Sequence, residues 1–75
     1  MNIGKVFKQY REKAGMTQRA LAKELGVTPT ALWKVESGRA TPKQVTITKF
    51  QQISGYVLAR IMIEALEPED YGRAG

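Results

Sequence analysis

The sequence predicts a small all-α domain built from five helices. Apolar residues recur at intervals of three or four through the first 66 residues, which is the spacing of one helical face. Hydroxyl and proline residues precede these segments and glycines follow them, as they do at helix ends. At 75 residues, the chain is long enough for one domain.

The first helix is predicted over residues 3–13. Its polar and charged residues fall on the side opposite an apolar face. Gly15 follows, where a helix C-terminus favours glycine. The apolar face comprises Ile3, Val6, Phe7, Tyr10 and Ala14.

Two short helices are predicted over residues 18–25 and 29–36. Thr17 and Thr28 precede them as N-caps, where a hydroxyl oxygen accepts a hydrogen bond from an early backbone N–H. Gly26 ends the first of the two helices.

A fourth helix is predicted over residues 45–54, and a short strand over 45–49 is the rival interpretation. The Thr-Pro pair at 41–42 gives a helix-start signal, with Gln44 at the capping-box position. A β-branched run then favours a strand when it is read alone. Apolar residues at near-helical spacing favour the helix.

The fifth helix is predicted over residues 56–66 and is apolar nearly all round. Such a helix needs more than one partner surface, and a monomer should not expose it. We therefore expect it to form a homodimer interface, and we expect residues 67–75 to be a polar tail. The predicted interface residues are Val57, Leu58, Ile61, Met62 and Ala65.

The composition narrows the classes of function. The chain contains 12 Lys and Arg, 7 Asp and Glu, and no Cys or His. Disulfides, thiolate or imidazole metal ligands, and catalysis by Cys or His are therefore excluded. Carboxylate catalysis would need a water-excluding cleft, which so short a chain rarely builds. We expect a protein that is not an enzyme and that holds no metal, cofactor or small-molecule ligand.

Charge is distributed unevenly along the chain. Residues 1–49 carry ten cations and three anions, a net charge of +7, whereas residues 50–75 carry two cations and four anions, a net charge of −2. A basic segment of this kind is typical of a polyanion-binding surface. No segment has the roughly 18 consecutive apolar residues of a membrane span. We expect a cytoplasmic protein without a membrane partner.

The second and third helices together have the pattern of a helix-turn-helix. Their backbones must approach closely, which requires a small residue in the second helix, and Ala22 is there. The turn requires a residue that tolerates a positive φ, and Gly26 is there. The angle between the helices is sealed by three apolar residues, Val27, Leu32 and Val35.

The sequence resembles the lambda Cro/cI-type helix-turn-helix repressors, also called the XRE family. The likeness covers residues 3 to about 55 and is carried by GMTQ at 15–18, LAKELGV at 21–27, ALWKVESGR at 31–39 and Pro42. It implies a compact five-helix, lambda-repressor-like DNA-binding domain, here residues 1–66. Members of the family act as dimeric transcriptional regulators on operator DNA. The resemblance also implies a structural salt bridge between Arg11 and Glu36.

The predicted DNA contacts lie on and around the third helix, the recognition helix. Leu32 and Val35 face inward, so the opposite face is available to the major groove. The predicted base-reading residues are Pro29, Thr30, Trp33 and Lys34. The predicted phosphate-binding residues are Gln18, Arg19, Thr28, Ser37, Arg39 and Lys43.

The sequence thus predicts a sequence-specific DNA-binding regulator. We expect a Cro-like repressor that binds a pseudo-palindromic operator in double-stranded DNA as a homodimer, in a bacterial, phage or plasmid nucleoid. The alternative is an antitoxin or another protein-interaction module that regulates itself through DNA binding.

Overall fold

The computed structural model describes residues 1–67, which form five α-helices and no strand. The helices are α1 (Ile3–Lys13), α2 (Gln18–Leu25), α3 (Pro29–Glu36), α4 (Gln44–Ser54) and α5 (Leu58–Glu64). The predicted bounds of the first three helices are confirmed. Residues 68–75, which hold most of the predicted polar tail, lie outside the described residues.

The caps that begin α2 and α3 are those that the sequence predicts. The Thr17 hydroxyl oxygen accepts a bond of 3.1 Å from the backbone N–H of Ala20. The Thr28 hydroxyl oxygen accepts one of 3.1 Å from Ala31, and a proline occupies the first position of α3. The prediction that Ala14 belongs to the apolar face of α1 was wrong. This residue is the C-cap of α1, and it is exposed.

The fourth predicted segment is a helix in the structure, so the rival interpretation of residues 45–49 as a strand was wrong. The β-branched run is overridden because Thr46 and Ile47 are buried with Phe50 on one helical face, and tertiary burial outweighs intrinsic propensity. The helix-start signal at 41–42 was also wrong. The N-cap is Lys43, and no side chain caps the helix.

The core lies between the five helices, each of which contributes at least one buried apolar side chain. Phe50 stands at its centre, with its ring centroid 4.4 Å from that of Phe7 and 5.3 Å from that of Tyr10. Tyr56 packs edge-on against Phe50 at 5.5 Å, a favoured aromatic geometry. The buried apolar residues are Val6, Phe7, Leu21, Ala22, Leu25, Leu32, Ile47, Phe50, Ile61 and Ala65.

The fifth helix is shorter than predicted, and one side of it belongs to the core. Ile61 and Ala65 have no exposed surface, and α5 packs against α1. The carbonyl oxygen of Ala65 accepts a bond of 2.7 Å from the backbone N–H of Asn2, which ties the end of α5 to the start of the chain. The assignment of Ile61 and Ala65 to a dimer interface was therefore wrong, because the monomer's own core covers both side chains.

The first helix crosses the end of α3 at Gly4, which is buried. A Cβ on Gly4 would overlap the carbonyl oxygen of Val35 and would lie 2.6 Å from its carbonyl carbon. The two backbones are therefore in direct contact at this crossing. The crossing fixes α3 against α1, and the sequence pattern does not reveal it.

Candidate nucleic-acid interface

The turn between α2 and α3 has the geometry of a helix-turn-helix. Gly26 adopts φ +74 and ψ 28, the left-handed conformation that the sequence predicts there. The N–H of Val27 then donates to the carbonyl oxygen of Ala22 at 3.0 Å. Ala22 and Leu32 are buried between the helices, and Val27 is half-buried beside them. Each side chain of the predicted motif is therefore in its expected place.

The side chains predicted to read bases lie on one exposed face of α3. Pro29, Thr30, Trp33 and Lys34 are all exposed, and their spacing along a helix places them on one side. Leu32, which points the other way, is 1% exposed. The arrangement leaves a hydroxyl, a methyl group and an ammonium group free to meet a groove. Their contact with DNA stays a prediction.

The predicted phosphate-binding side chains differ in exposure and in the hydrogen bonds that they already make. Arg19, Arg39 and Lys43 are exposed. Thr28 is exposed too, and its hydroxyl proton is still available, because the cap uses only the oxygen as acceptor. The Ser37 hydroxyl already donates to the carbonyl oxygen of Lys34 at 3.2 Å, so a phosphate would have to replace that bond. The remaining predicted contact, Gln18, also has an intramolecular partner.

A buried carboxylate, Glu36, joins α1, α2 and α3. Arg11 meets it with two bonds, Nε to Oε2 at 2.9 Å and Nη2 to Oε1 at 3.1 Å. Gln18 donates Nε2 to Oε1 at 3.0 Å. The Glu36 side chain is 3% exposed, and its hydrogen bond raises the pKa of the Arg11 guanidinium above its ordinary value. The salt bridge that the resemblance implies is present.

Gln18 is a bridge between this buried network and the protein surface. Its amide nitrogen carries two N–H groups, of which Glu36 takes one. The second N–H is at the start of α2, where the helix dipole favours an anion. Glu36 therefore orients Gln18, while a donor remains for the predicted phosphate contact. The family resemblance implied the Arg11–Glu36 pair but did not imply that Gln18 joins it.

The apolar surface that α5 leaves exposed differs from the predicted one. Val57, Leu58 and Met62 are exposed, as an interface requires. Ile63, which was not among the predicted interface residues, is 65% exposed. We call the set of exposed apolar residues at α5 the α5 surface, and its members are Val57, Leu58, Met62 and Ile63.

No helix among residues 1–67 is long and apolar enough to cross a membrane. Exposed side chains on the α3 face and on the α5 surface are the candidates for contact with partners. Relationships to known proteins bear on the first of these.

The family model of a helix-turn-helix domain matches residues 2–56. The chain is 36% identical over 58 residues to "Endothelial differentiation-related factor 1 homolog" of Gallus gallus. It is 34% identical over 58 residues to "Multiprotein-bridging factor 1" of Debaryomyces hansenii and to "Endothelial differentiation-related factor 1" of Homo sapiens. Each match covers 77% of this chain and 39% of the relative, so the chain spans about two fifths of these proteins' length.

No solved structure matches the chain. The matched segment runs from the N-cap of α1 to just beyond the end of α4 and contains the whole of the DNA-binding motif. With the buried salt bridge, the turn at Gly26 and the exposed recognition helix, this match shows that the chain belongs to the helix-turn-helix domain family of the XRE type.

Proposed function

We propose that the protein is a sequence-specific, DNA-binding transcriptional regulator that acts as a Cro-like repressor. The observation that carries the proposal is the exposed face of α3, held on a buried framework of α1 and α2. A protein of this kind needs surface, charge and rigidity rather than catalysis. Repression would follow from occupancy of a promoter.

The chemistry of the α3 face suits the major groove. Lys34 donates to O6 and N7 of guanine, and the Thr30 methyl group suits the methyl of thymine. Pro29 has no N–H and contributes only apolar contact. With Arg39 and Lys43 on phosphates, the contacts separate into those that read sequence and those that orient the protein.

We expect Lys34→Ala to weaken binding to the selected operator by about 1–3 kcal/mol and to relax base preference at one position. The variant lacks the Lys34 ammonium group, whose N–H groups would donate to a base edge. The operator is obtained by selecting bound sites from random DNA, and affinity is then measured by fluorescence anisotropy. Lys49→Ala is the charge-matched control, because Lys49 is exposed on α4, outside the helix-turn-helix. Unchanged affinity and unchanged preference in Lys34→Ala would contradict the groove assignment.

We also propose that the α5 surface pairs two copies of the chain, so that two recognition helices meet a pseudo-palindrome. Half-sites should then lie about one helical turn apart. Support comes from four exposed apolar side chains on a small domain, which gains stability from oligomerisation.

Leu58→Glu should convert a dimer into a folded monomer, because it places charge in an apolar interface. Sedimentation velocity at high micromolar concentration measures the state, and circular dichroism checks the fold. Val45→Glu is the matched control, since Val45 is also an exposed apolar residue but belongs to α4. If the unmodified chain is a strict monomer in these conditions, the homodimer is refuted.

A second candidate function is protein bridging. The relative named "Multiprotein-bridging factor 1" is the observation that favours it, and it accords with a protein-interaction module that also binds DNA. In that case a different protein would occupy the α5 surface. A monomeric chain that retains specific DNA binding would favour this candidate over the homodimer.

A further inference from the structure

Trp33 and Arg39 are in direct contact at the end of the recognition helix. The guanidinium carbon of Arg39 lies 4.8 Å from the centre of the Trp33 ring, within the distance of a cation–π interaction. Both side chains are exposed, and Trp33 keeps 45% of its surface accessible. The sequence pattern treats them separately, as a base reader and a phosphate ligand. In the structure they form one unit.

The backbone at the end of α3 explains why Arg39 returns to Trp33. Gly38 adopts φ +79 and reverses the chain, so its N–H donates to the carbonyl oxygen of Val35 at 3.1 Å. The N–H of Arg39 donates to the carbonyl oxygen of Lys34 at 2.8 Å. These two bonds make a Schellman motif, in which the residue two positions past the cap commonly packs on the last helical turn. Arg39 holds that position, and Trp33 is its partner on the turn.

We propose that Trp33 is a positioning residue that holds the Arg39 guanidinium ready for a DNA phosphate, and that it does not itself read bases. This inference rests on the proposed DNA-binding function. The guanidinium suits a phosphate, since its N–H groups match two oxygens at once. An arginine normally loses much rotamer freedom when it binds. Stacking on Trp33 restricts the side chain before DNA arrives, so binding costs less.

The contact between Trp33 and Arg39 can be tested by NMR in the free protein, without DNA. The indole ring current should shift the NMR signals of the Arg39 side-chain protons upfield. Trp33→Leu should abolish that shift, and Trp33→Phe should retain part of it. If the Arg39 side-chain protons of the unmodified chain have the chemical shifts of a free arginine, the inference is overturned.

The other observable is the salt dependence of binding to a mixed-sequence DNA duplex of about two helical turns, measured from about 50 to 200 mM salt. Arg39→Ala removes a charge and should reduce the magnitude of the negative slope of log K against log salt by about 0.9. Trp33→Leu should weaken binding about two- to fivefold with the slope unchanged, because the charge remains but is no longer held. Adding Trp33→Leu to Arg39→Ala should weaken binding no further.

The possible results separate the inference from the function on which it rests. If the unmodified chain binds neither this duplex nor a selected site, both are overturned. If Arg39→Ala weakens binding and Trp33→Leu does not, only the positioning role is overturned. If the two effects add, and Trp33→Leu alters base preference in site selection, Trp33 reads bases directly and the inference fails while DNA binding stands.

Discussion

Gly4→Ala should destabilise the domain by about 3 kcal/mol, at the upper end of what overpacking costs. The new methyl group would overlap the carbonyl oxygen of Val35, and that atom is backbone, which cannot rotate away. Either α1 must separate from α3 or the end of α3 must distort. For a chain of this length, total stability is of the order of 4–11 kcal/mol, so the loss is a large fraction. Thermal or denaturant unfolding monitored by circular dichroism measures it.

Helix propensity predicts the opposite sign for this substitution. Alanine is favoured over glycine by up to about 1 kcal/mol in a helix, and Gly4 lies within α1. A stabilised Gly4→Ala variant would therefore show that α1 and α3 do not touch at this point. Lys8→Ala is the control on the same helix, because Lys8 is exposed and its truncation should change stability little.

Arg11→Ala should cost about 3 kcal/mol of folding stability. The Glu36 carboxylate would remain buried, with only the Gln18 amide as a side-chain donor. The carbonyl oxygen of Met16 would lose its bond from Arg11 Nη1, which is 3.1 Å long. Most of the cost is the penalty of leaving a charge in the core without its counter-ion, not the net value of the pair. Chemical denaturation gives the free energy of unfolding.

A second arginine–glutamate pair among residues 1–67 offers a matched control. Arg60 Nε lies 2.7 Å from Glu64 Oε2, but the two side chains are 51% and 33% exposed. Exposed ion pairs stabilise proteins little, and the guanidinium carbon of Arg60 also lies 3.8 Å from the centre of the Tyr56 ring, a cation–π contact that is modest at an exposed site. Arg60→Ala should therefore lower the midpoint of unfolding much less than Arg11→Ala does. The double variant Arg11→Met/Glu36→Leu should recover part of the loss, since it removes both charges. Equal losses in Arg11→Ala and Arg60→Ala would contradict this account of the Glu36 site.

The parts of the fold that the sequence predicts well are those that depend on local chemistry. Thr17 and Thr28 are caps because each hydroxyl oxygen accepts a hydrogen bond from an N–H three residues further on. That bond does not depend on how the helices pack together. Gly26 is the turn residue because few other residues adopt a positive φ at low cost. The face of α3 opposite Leu32 is exposed because helical periodicity fixes it.

The sequence pattern is incomplete where one helix meets another. Ile61 and Ala65 look like interface residues in an apolar stretch, yet they pack inside the monomer. The β-branched start of α4 leaves a strand open as a rival to the predicted helix, and the burial of Ile47 and Phe50 on one helical face decides for the helix. Gln18 looks like a surface donor alone, yet it also holds Glu36. Periodicity tells which residues share a face, but it does not tell what that face meets.

The sequence by itself determined five helical segments, a helix-turn-helix with its glycine turn, and a basic segment, residues 1–49, whose charge suits DNA. These follow from propensity, capping and charge, which act between residues close in the chain. Only the tertiary structure decided that Gly4 lets α1 touch α3, that α5 has both buried and exposed apolar residues, and that Arg39 lies against the Trp33 ring. The physical reason is that close packing depends on the shapes of surfaces brought together by the fold, and those surfaces do not exist until the helices have met.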